Sequence, residues 1–295
     1  MPDNQPFVSP RNPAEFPADF FALDGHSALA LDGPDAVAFA QAQFASDVTA
    51  LATGHWHWST LLTPKGRVIA VFALLRSGES SLRLVLPDFD AAELGDALRR
   101  FVFRRKVVIA PRPDLRVAGA FRAAPVRGGL LTGDEADGVE LDYGAPALPR
   151  TLRLSSAPAP ADPAALQAWA AADLRLGLPR LPASQREQWT PQQLGLDRLN
   201  GYSVKKGCYP GQEIVARTHF LGRAKRETLL LQVPATAEPG AEVCQSDNAI
   251  GSVASTAGVA PRLALAVVPL ERDAAPLLVD GVETAVEPFV DGFAR

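Results

Sequence analysis

Residues 205–213 read "KKGCYPGQE", a cysteine behind two lysines and between two glycines, in a chain that holds one other cysteine, Cys244. Lys205 and Lys206 put cations next to Cys208, and nearby cations favour a thiolate. Gly207 and Gly211 permit backbone with φ > 0, so the loop can turn tightly and present a side chain. The continuation "GQEIVART" suits a helix start, whose N-terminal dipole acts in the same direction. The same residues equally suit a tight turn that buries a small apolar side chain. Local chemistry alone leaves both readings open.

Around this loop lies a chain of 295 residues, 47% apolar, enough for one large domain or two ordinary ones. The net charge of −4 and pI of about 5.6 argue against a protein built to hold nucleic acid by bulk electrostatics. Two cysteines make no disulfide framework, and no Cys/His spacing suggests a structural zinc. The first residues lack the basic and apolar regions of a signal peptide, and no apolar run approaches the ~18 residues of a membrane helix. A cytoplasmic setting, a free Cys208 thiol and no membrane association are expected.

Along the chain, the first two dozen residues read as a loosely ordered arm rich in Pro, Asn and Phe. "SALALDG" (27–33) alternates like a strand, and "PDAVAFAQAQFASDV" (34–48) reads as a helix with Pro34 in its first turn. "HWHWSTLLTPKGRVIAVFALLR" (55–76) reads as a hairpin turning at Thr63-Pro64-Lys65-Gly66. A strand at 82–87 and a helix running into a strand over 91–109 follow. Short strands with Gly-rich turns fill 115–155. "DPAALQAWAAADLRLGL" (162–178) is the strongest helix signal, with Asp162 as N-cap and Pro163 at the first helical position. After residue 222, evenly spaced short strands suggest a small β-barrel. The expected division is 1–221 and 222–295.

Other candidate sites are weaker. His55 and His57 share one face of a strand opposite Trp56 and Trp58, and a metal needs more ligands than this pair supplies. "RRFVFRRK" (99–106) interleaves cations with aromatics, a pattern that can attract phosphates. Cations at a helix end also simply complement its dipole, and the overall charge favours that reading. "RAKR" (223–226) reads as a solvated barrel entry. The dinucleotide, P-loop, HExxH and GxSxG motifs are absent.

"KKGCYPGQE" closely resembles the K-G-C-Y-x-G-Q-E signature of the YgfZ family, folate-binding relatives of the glycine-cleavage T protein (aminomethyltransferase). The resemblance continues through "LDRLNGYSVKKGCYPGQEIVARTHFLGRAKR", and "AQFASDVTAL", "TPKGRV" and "FVFRRKVVI" resemble further family segments. It covers nearly the whole chain. It implies an α+β fold: an aminomethyltransferase-like large domain of ferredoxin-like halves around a central channel, plus a C-terminal β-barrel. It also implies tetrahydrofolate or a derivative as ligand. The implied role is assembly or repair of iron–sulfur clusters in client enzymes, including those that modify tRNA. Client proteins and folate are then the expected partners of a monomer, without direct nucleic-acid binding.

Residue by residue, the resemblance makes Cys208 the functional thiol. It carries Lys206, Tyr209, Gln212 and Glu213 as ligand-side positions, and Gly207 and Gly211 as structural ones. No stable metal site is implied, although Cys208 could serve as a transient cluster ligand beside thiols from a partner. Trp169 falls where the family has a folate-lining tryptophan, and a pterin stacked on an indole is sound physics. His26 stands where a second such tryptophan is found, which is a departure. Gln193 corresponds to the pterin-binding glutamate of the T protein, and a carboxamide offers one acceptor oxygen rather than two. After "VI", the T proteins carry aspartates where this chain has Ala70 and Val71. Without that carboxylate, glycine-cleavage activity is not expected. A folate-dependent one-carbon transferase remains the alternative reading.

Overall fold

The computed structural model describes residues 18–295 apart from 221 and 223; most of the N-terminal arm and Arg223 of the "RAKR" run lie outside the described residues. The chain runs β1 (Phe21–Ala22), β2 (Ser27–Asp32), α1 (Ala36–Gln43), β3 (His55–Leu62), β4 (Val68–Gly78), β5 (Ser81–Leu86), α2 (Ala91–Arg99) and β6 (Val108–Pro111). There follow β7 (Arg116–Ala120), β8 (Leu131–Thr132), β9 (Val139–Asp142), β10 (Thr151–Ser155), α3 (Pro163–Arg175) and α4 (Gln212–Phe220). The last part is all strand: β11 (Arg226–Val233), β12 (Glu242–Gln245), β13 (Asn248–Ala257), β14 (Arg262–Pro269), β15 (Leu278–Val279), β16 (Val282–Glu283) and β17 (Ala285–Glu287).

Two five-stranded antiparallel sheets form first, in the orders β3-β4-β5-β2-β6 and β1-β7-β10-β9-β8. The nearly unbroken apolar run of β4 is explained by burial on both faces. Ala70, Phe72 and Leu74 pack with α1 and α2 through Phe39, Leu94 and Leu98. Val71, Ala73 and Leu75 face a larger core that holds Trp56, Trp58, strands of the second sheet and Trp169 of α3. The expected hairpin is present, with Leu62 opposite Val68 and the turn closed by Thr63 N–H on the Arg67 carbonyl at 2.8 Å. Helix α3 begins as its sequence requires, with the Asp162 carboxylate accepting from Ala165 N–H at 2.9 Å and Pro163 in the first turn.

Helix α1 is shorter than its apolar run suggests. At Phe44 the backbone becomes extended and joins the sheet: Phe44 bridges Leu61, and Ala45 N–H donates to the Thr60 carbonyl at 2.8 Å. Sheet pairing thus takes residues that an isolated helix would have kept.

Strands β11 to β17 make one seven-stranded, barrel-shaped sheet that nearly closes on itself, in the order β16-β15-β12-β13-β14-β11-β17. The chain then returns to the first part. Phe293 is buried with its ring 4.9 Å from that of Trp58, whose indole N–H donates to the Phe293 carbonyl at 3.0 Å. Among the described residues no helix is long and apolar enough to cross a membrane.

Candidate functional site

The cysteine loop is held by buried polar contacts on every side except that of the cysteine. The Lys206 ammonium donates to three carbonyls beyond the last turn of α1 and at its end, those of Gln41 and Phe44 at 2.6 Å and Ser46 at 2.9 Å. The Gln41 and Phe44 carbonyls lie where a helix C-terminus leaves acceptors without partners, and Ser46 lies just past it. Burial pulls the Lys206 pKa down to about 8, opposed in part by Asp47. The Tyr209 ring lies under that ammonium at 5.0 Å, and its hydroxyl donates to the Ser203 carbonyl at 2.9 Å. Gln212 donates from its amide to the Lys206 carbonyl at 3.0 Å, closing the loop on itself.

Gly211 has φ +81°, and a Cβ there would lie 2.6 Å from the Thr63 carbonyl oxygen and 2.7 Å from the Gly66 Cα. The turn of the β3–β4 hairpin therefore meets the cysteine loop backbone to backbone. Gly207 is different from its expectation. It is not among the positive-φ residues, and a Cβ on it would meet nothing within 4 Å.

Cys208 is exposed at the tip of this frame, between exposed Lys205 and Gly207 and buried Tyr209. Of the two lysines expected to act on the thiol, Lys206 can do so only through its charge. An ammonium has three donors, and all three of Lys206's are spent on carbonyls, so none is left for Cys208 or for a ligand. Glu213 is exposed in the first turn of α4. Gln193 accepts from Thr190 N–H at 3.0 Å and from Arg67 at 3.3 Å, so its side-chain oxygen is already occupied. His57 also faces inward, with Nε2 3.1 Å from the Ser46 hydroxyl and its pKa lowered to about 4 by burial. Among the described residues no group of three or more ligating side chains could hold a metal ion.

A second cluster surrounds Trp169 in the same core that receives the Tyr209 ring. The buried indole stacks on Tyr143 (centroids 5.6 Å apart, planes 15° apart) and packs edge-on to Phe21 and Phe121. The Arg150 guanidinium sits 4.3 Å from the indole centroid and donates through Nη1 to the Trp169 carbonyl and the Asp173 carboxylate. Arg180 donates to the other oxygen of Asp173 at 2.8 Å and to the Pro87 carbonyl at 2.7 Å. Asp88 accepts from Leu181 N–H, and burial raises its pKa to about 6. Burial, then the charge of Arg180, holds His26 well below the usual imidazole range.

Several groups here are buried with no hydrogen-bond partner among the described residues: Trp169 Nε1, the Tyr143 hydroxyl, and Arg150 Nε and Nη2. Interior polar atoms are normally satisfied, so such a concentration asks for a partner the protein does not itself supply. The chemistry of the set suits a flat, polar heterocycle: aromatic faces beside several N–H donors. Trp169 and His26 were legible from the sequence. Tyr143, Arg150, Asp173, Arg180 and Asp88 were not; the one available signal was a set of charges inside otherwise apolar segments.

No family model matches the chain. It is 30% identical over 247 residues to the tRNA-modifying protein YgfZ of Cronobacter sakazakii, covering 77% of this chain and 73% of that protein. The YgfZ of Yersinia enterocolitica is 30% identical over 261 residues, 81% of this chain and 79% of the relative. An uncharacterized protein of Haemophilus influenzae shows 30% identity over 77% of this chain and 78% of its own. In structure, the glycine cleavage system aminomethyltransferase T of Bartonella henselae superposes with a TM-score of 0.71 over 96% of this chain and 88% of that one, at 16% identity. The fold is therefore that of aminomethyltransferase T, and the chain belongs to the YgfZ family.

Proposed function

We propose that the protein binds tetrahydrofolate or a derivative in the Trp169 cluster and serves as an accessory factor for iron–sulfur cluster assembly or repair, with Cys208 as its working thiol. The observation that carries the reading is the set of unpartnered buried donors around Trp169. Arg150 Nε and Nη2 and the indole N–H would take acceptor atoms of the heterocycle, which would lie beside the mutually stacked Tyr143 and Trp169 rings. Bound folate would supply a one-carbon carrier or a conformational signal. What the chain itself contributes is burial, orientation and exclusion of water. The exposure of Cys208 on a frame fixed by Lys206 and Gly211 supports a contact with another protein. There it could exchange thiols or lend one ligand to a client's cluster while the partner supplies the rest. Support for tRNA modification would then be indirect, through clients that carry clusters.

The test is calorimetric titration of wild type, Tyr143→Phe and Cys208→Ala with tetrahydrofolate, beside rescue of cluster-enzyme activity in a strain lacking its own YgfZ. Binding should weaken in Tyr143→Phe and persist in Cys208→Ala, which should fail to rescue. Absence of folate binding by the wild type, or full rescue by Cys208→Ala, sinks the corresponding half.

A folate-dependent transferase gains one observation in its favour. Ala70 and Val71 are buried apolar residues that offer no carboxylate. Asp88, however, has a pKa raised to about 6, near the value of a useful general acid or base, and its charge acts on Tyr143. Turnover of 5,10-methylenetetrahydrofolate that disappears in Asp88→Asn would establish it.

A further inference from the structure

On the far side of the first sheet from Trp169, the segment between α2 and β6 displays what its sequence interleaves. Phe101 is 48% exposed and Phe103 86%, on either side of Val102, which turns inward against the α1/α2 core. Phe103 holds φ +46°, a conformation that side-chain-bearing residues avoid and that something must maintain. The maintenance is visible: Lys106 N–H donates to the Asp35 carboxylate at 2.6 Å and Asp35 N–H to the Lys106 carbonyl at 3.2 Å, while Arg105 N–H closes on Val102 at 2.9 Å. The rings are thus held out in water by a fixed backbone.

The cations beside them are also free. Arg99 pairs with Asp96 and closes on the Ile109 carbonyl, as a helix-end residue should. The helix dipole and these partners explain Arg99 and leave the rest. The exposed side chains of Arg100, Arg104, Arg105 and Lys106 have no ion-pair or hydrogen-bond partner among the described residues. Phe103, Arg104 and Arg105, with Asp35 and Ala38, line an open recess of about 590 Å³.

We propose that this segment is a docking surface for single-stranded nucleic acid, with unpaired bases stacked on Phe101 and Phe103 and the backbone phosphates on Arg100, Arg104, Arg105 and Lys106. Charge selects a polyanion, and the bare rings select one with flat faces. An acidic peptide would satisfy the cations and leave both rings in water. A lipid surface is flat, whereas Phe103 and its neighbours form a recess. Asp35 in that recess would repel a phosphate there, so the recess takes the base, whose amino groups the carboxylate can accept. The acidic chain as a whole limits this to a local contact of modest strength, sensitive to salt.

The test is fluorescence anisotropy of a labelled 12-nucleotide single-stranded RNA with the full-length protein between 50 and 200 mM salt. Four phosphate contacts predict a slope of log K against log salt of about −3, and Arg104→Gln/Arg105→Gln should reduce its magnitude by about 1.4. Phe101→Ala/Phe103→Ala, both at exposed positions, should weaken binding about tenfold or more without altering the slope. Single-stranded DNA should bind equally, since neither contact reads the 2′-hydroxyl, and duplex RNA more weakly, since its bases are already stacked. No binding at 50 mM salt, indifference to loss of the rings, or equal binding of duplex overturns the proposal. Competition by polyglutamate or anionic phosphatidylserine vesicles as effective as unlabelled RNA also overturns it and points to a peptide or membrane partner.

Discussion

The cysteine loop and the Trp169 cluster both drive polar groups into the interior, and they settle those groups in opposite ways. Under Cys208 every buried donor is used: three protons of Lys206 on three carbonyls, the Tyr209 hydroxyl on Ser203 and the Gln212 amide on Lys206. Around Trp169 the outer charges are paired through Asp173, while Arg150 Nε and Nη2, the Trp169 indole N–H and the Tyr143 hydroxyl have no hydrogen-bond partner among the described residues. A saturated network makes a rigid support for the exposed Cys208 it carries. An unsaturated network is costly until a partner arrives. On the proposed function, the first region holds a thiol still and the second receives a ligand.

The largest break in that comparison should come from Gly211→Ala. Its left-handed φ and the contacts with Thr63 and Gly66 leave no place for a methyl group, so destabilisation of about 3 kcal/mol is expected. Gly207→Ala, in open space, should change stability by less than about 0.5 kcal/mol. Urea unfolding of the two variants measures the difference, and similar losses would mean that the frame does not depend on the hairpin contact.

Next in size is Lys206→Met, which keeps the length of the side chain and strands the carbonyls of Gln41, Phe44 and Ser46. A loss of about 2 kcal/mol is expected, with faster hydrogen exchange over residues 41–46. If Lys206 instead served the thiol, Cys208 alkylation would slow in this variant while stability stayed near that of wild type.

How far each region could be read from sequence follows from the same contrast. The loop is local: its lysine, glycines and tyrosine lie within a few residues, and the signature quotes them in order. Even so, the partners of Lys206 lie some 160 positions away, which is why a buried pin reads as an exposed cation. The Trp169 cluster is assembled from β1, α3, the residue before β2, the residues between β9 and β10, and the segments after β5 and α3, and no motif spans it. Asp173 looks like any acidic residue of a surface helix face until Arg150 and Arg180 are seen converging on it. Element types were legible from alternation, from Asp162-Pro163 and from the turn at Lys65-Gly66. The early end of α1 was not, since a sheet pairing decides it.

Asp88 tests the cluster through pH. Its folded pKa of about 6 lies above its ordinary value of 3.8, so the folded state binds the proton more tightly. The stability this contributes is fully present below about pH 4 and is lost as pH rises through 6. Asp88→Asn should remove that component, so the stability difference between variant and wild type should shift by about 2 kcal/mol between pH 4 and 7, in favour of the variant at the higher pH. Comparing the two proteins at each pH cancels the other carboxylates and His26, which titrates in the opposite sense. A flat difference would mean that Asp88 is solvated, and that the cluster is open to water before any ligand binds.

The smallest effect makes the sharpest comparison, because it asks one hydroxyl in each region the same question. In Tyr209→Phe a paired hydroxyl is lost and the Ser203 carbonyl loses its donor, so unfolding should become easier by about 1 kcal/mol. In Tyr143→Phe the hydroxyl removed has no partner among the described residues, and its burial is pure cost. That variant should be as stable as wild type or up to about 1 kcal/mol more stable, with its ring still stacked on Trp169. The opposite ordering should hold for folate titration, where Tyr143→Phe weakens binding and Tyr209→Phe leaves it unchanged. The two measurements together separate a ligand site from a packing defect: a defect gains stability and loses nothing, whereas a site gains stability by giving up affinity.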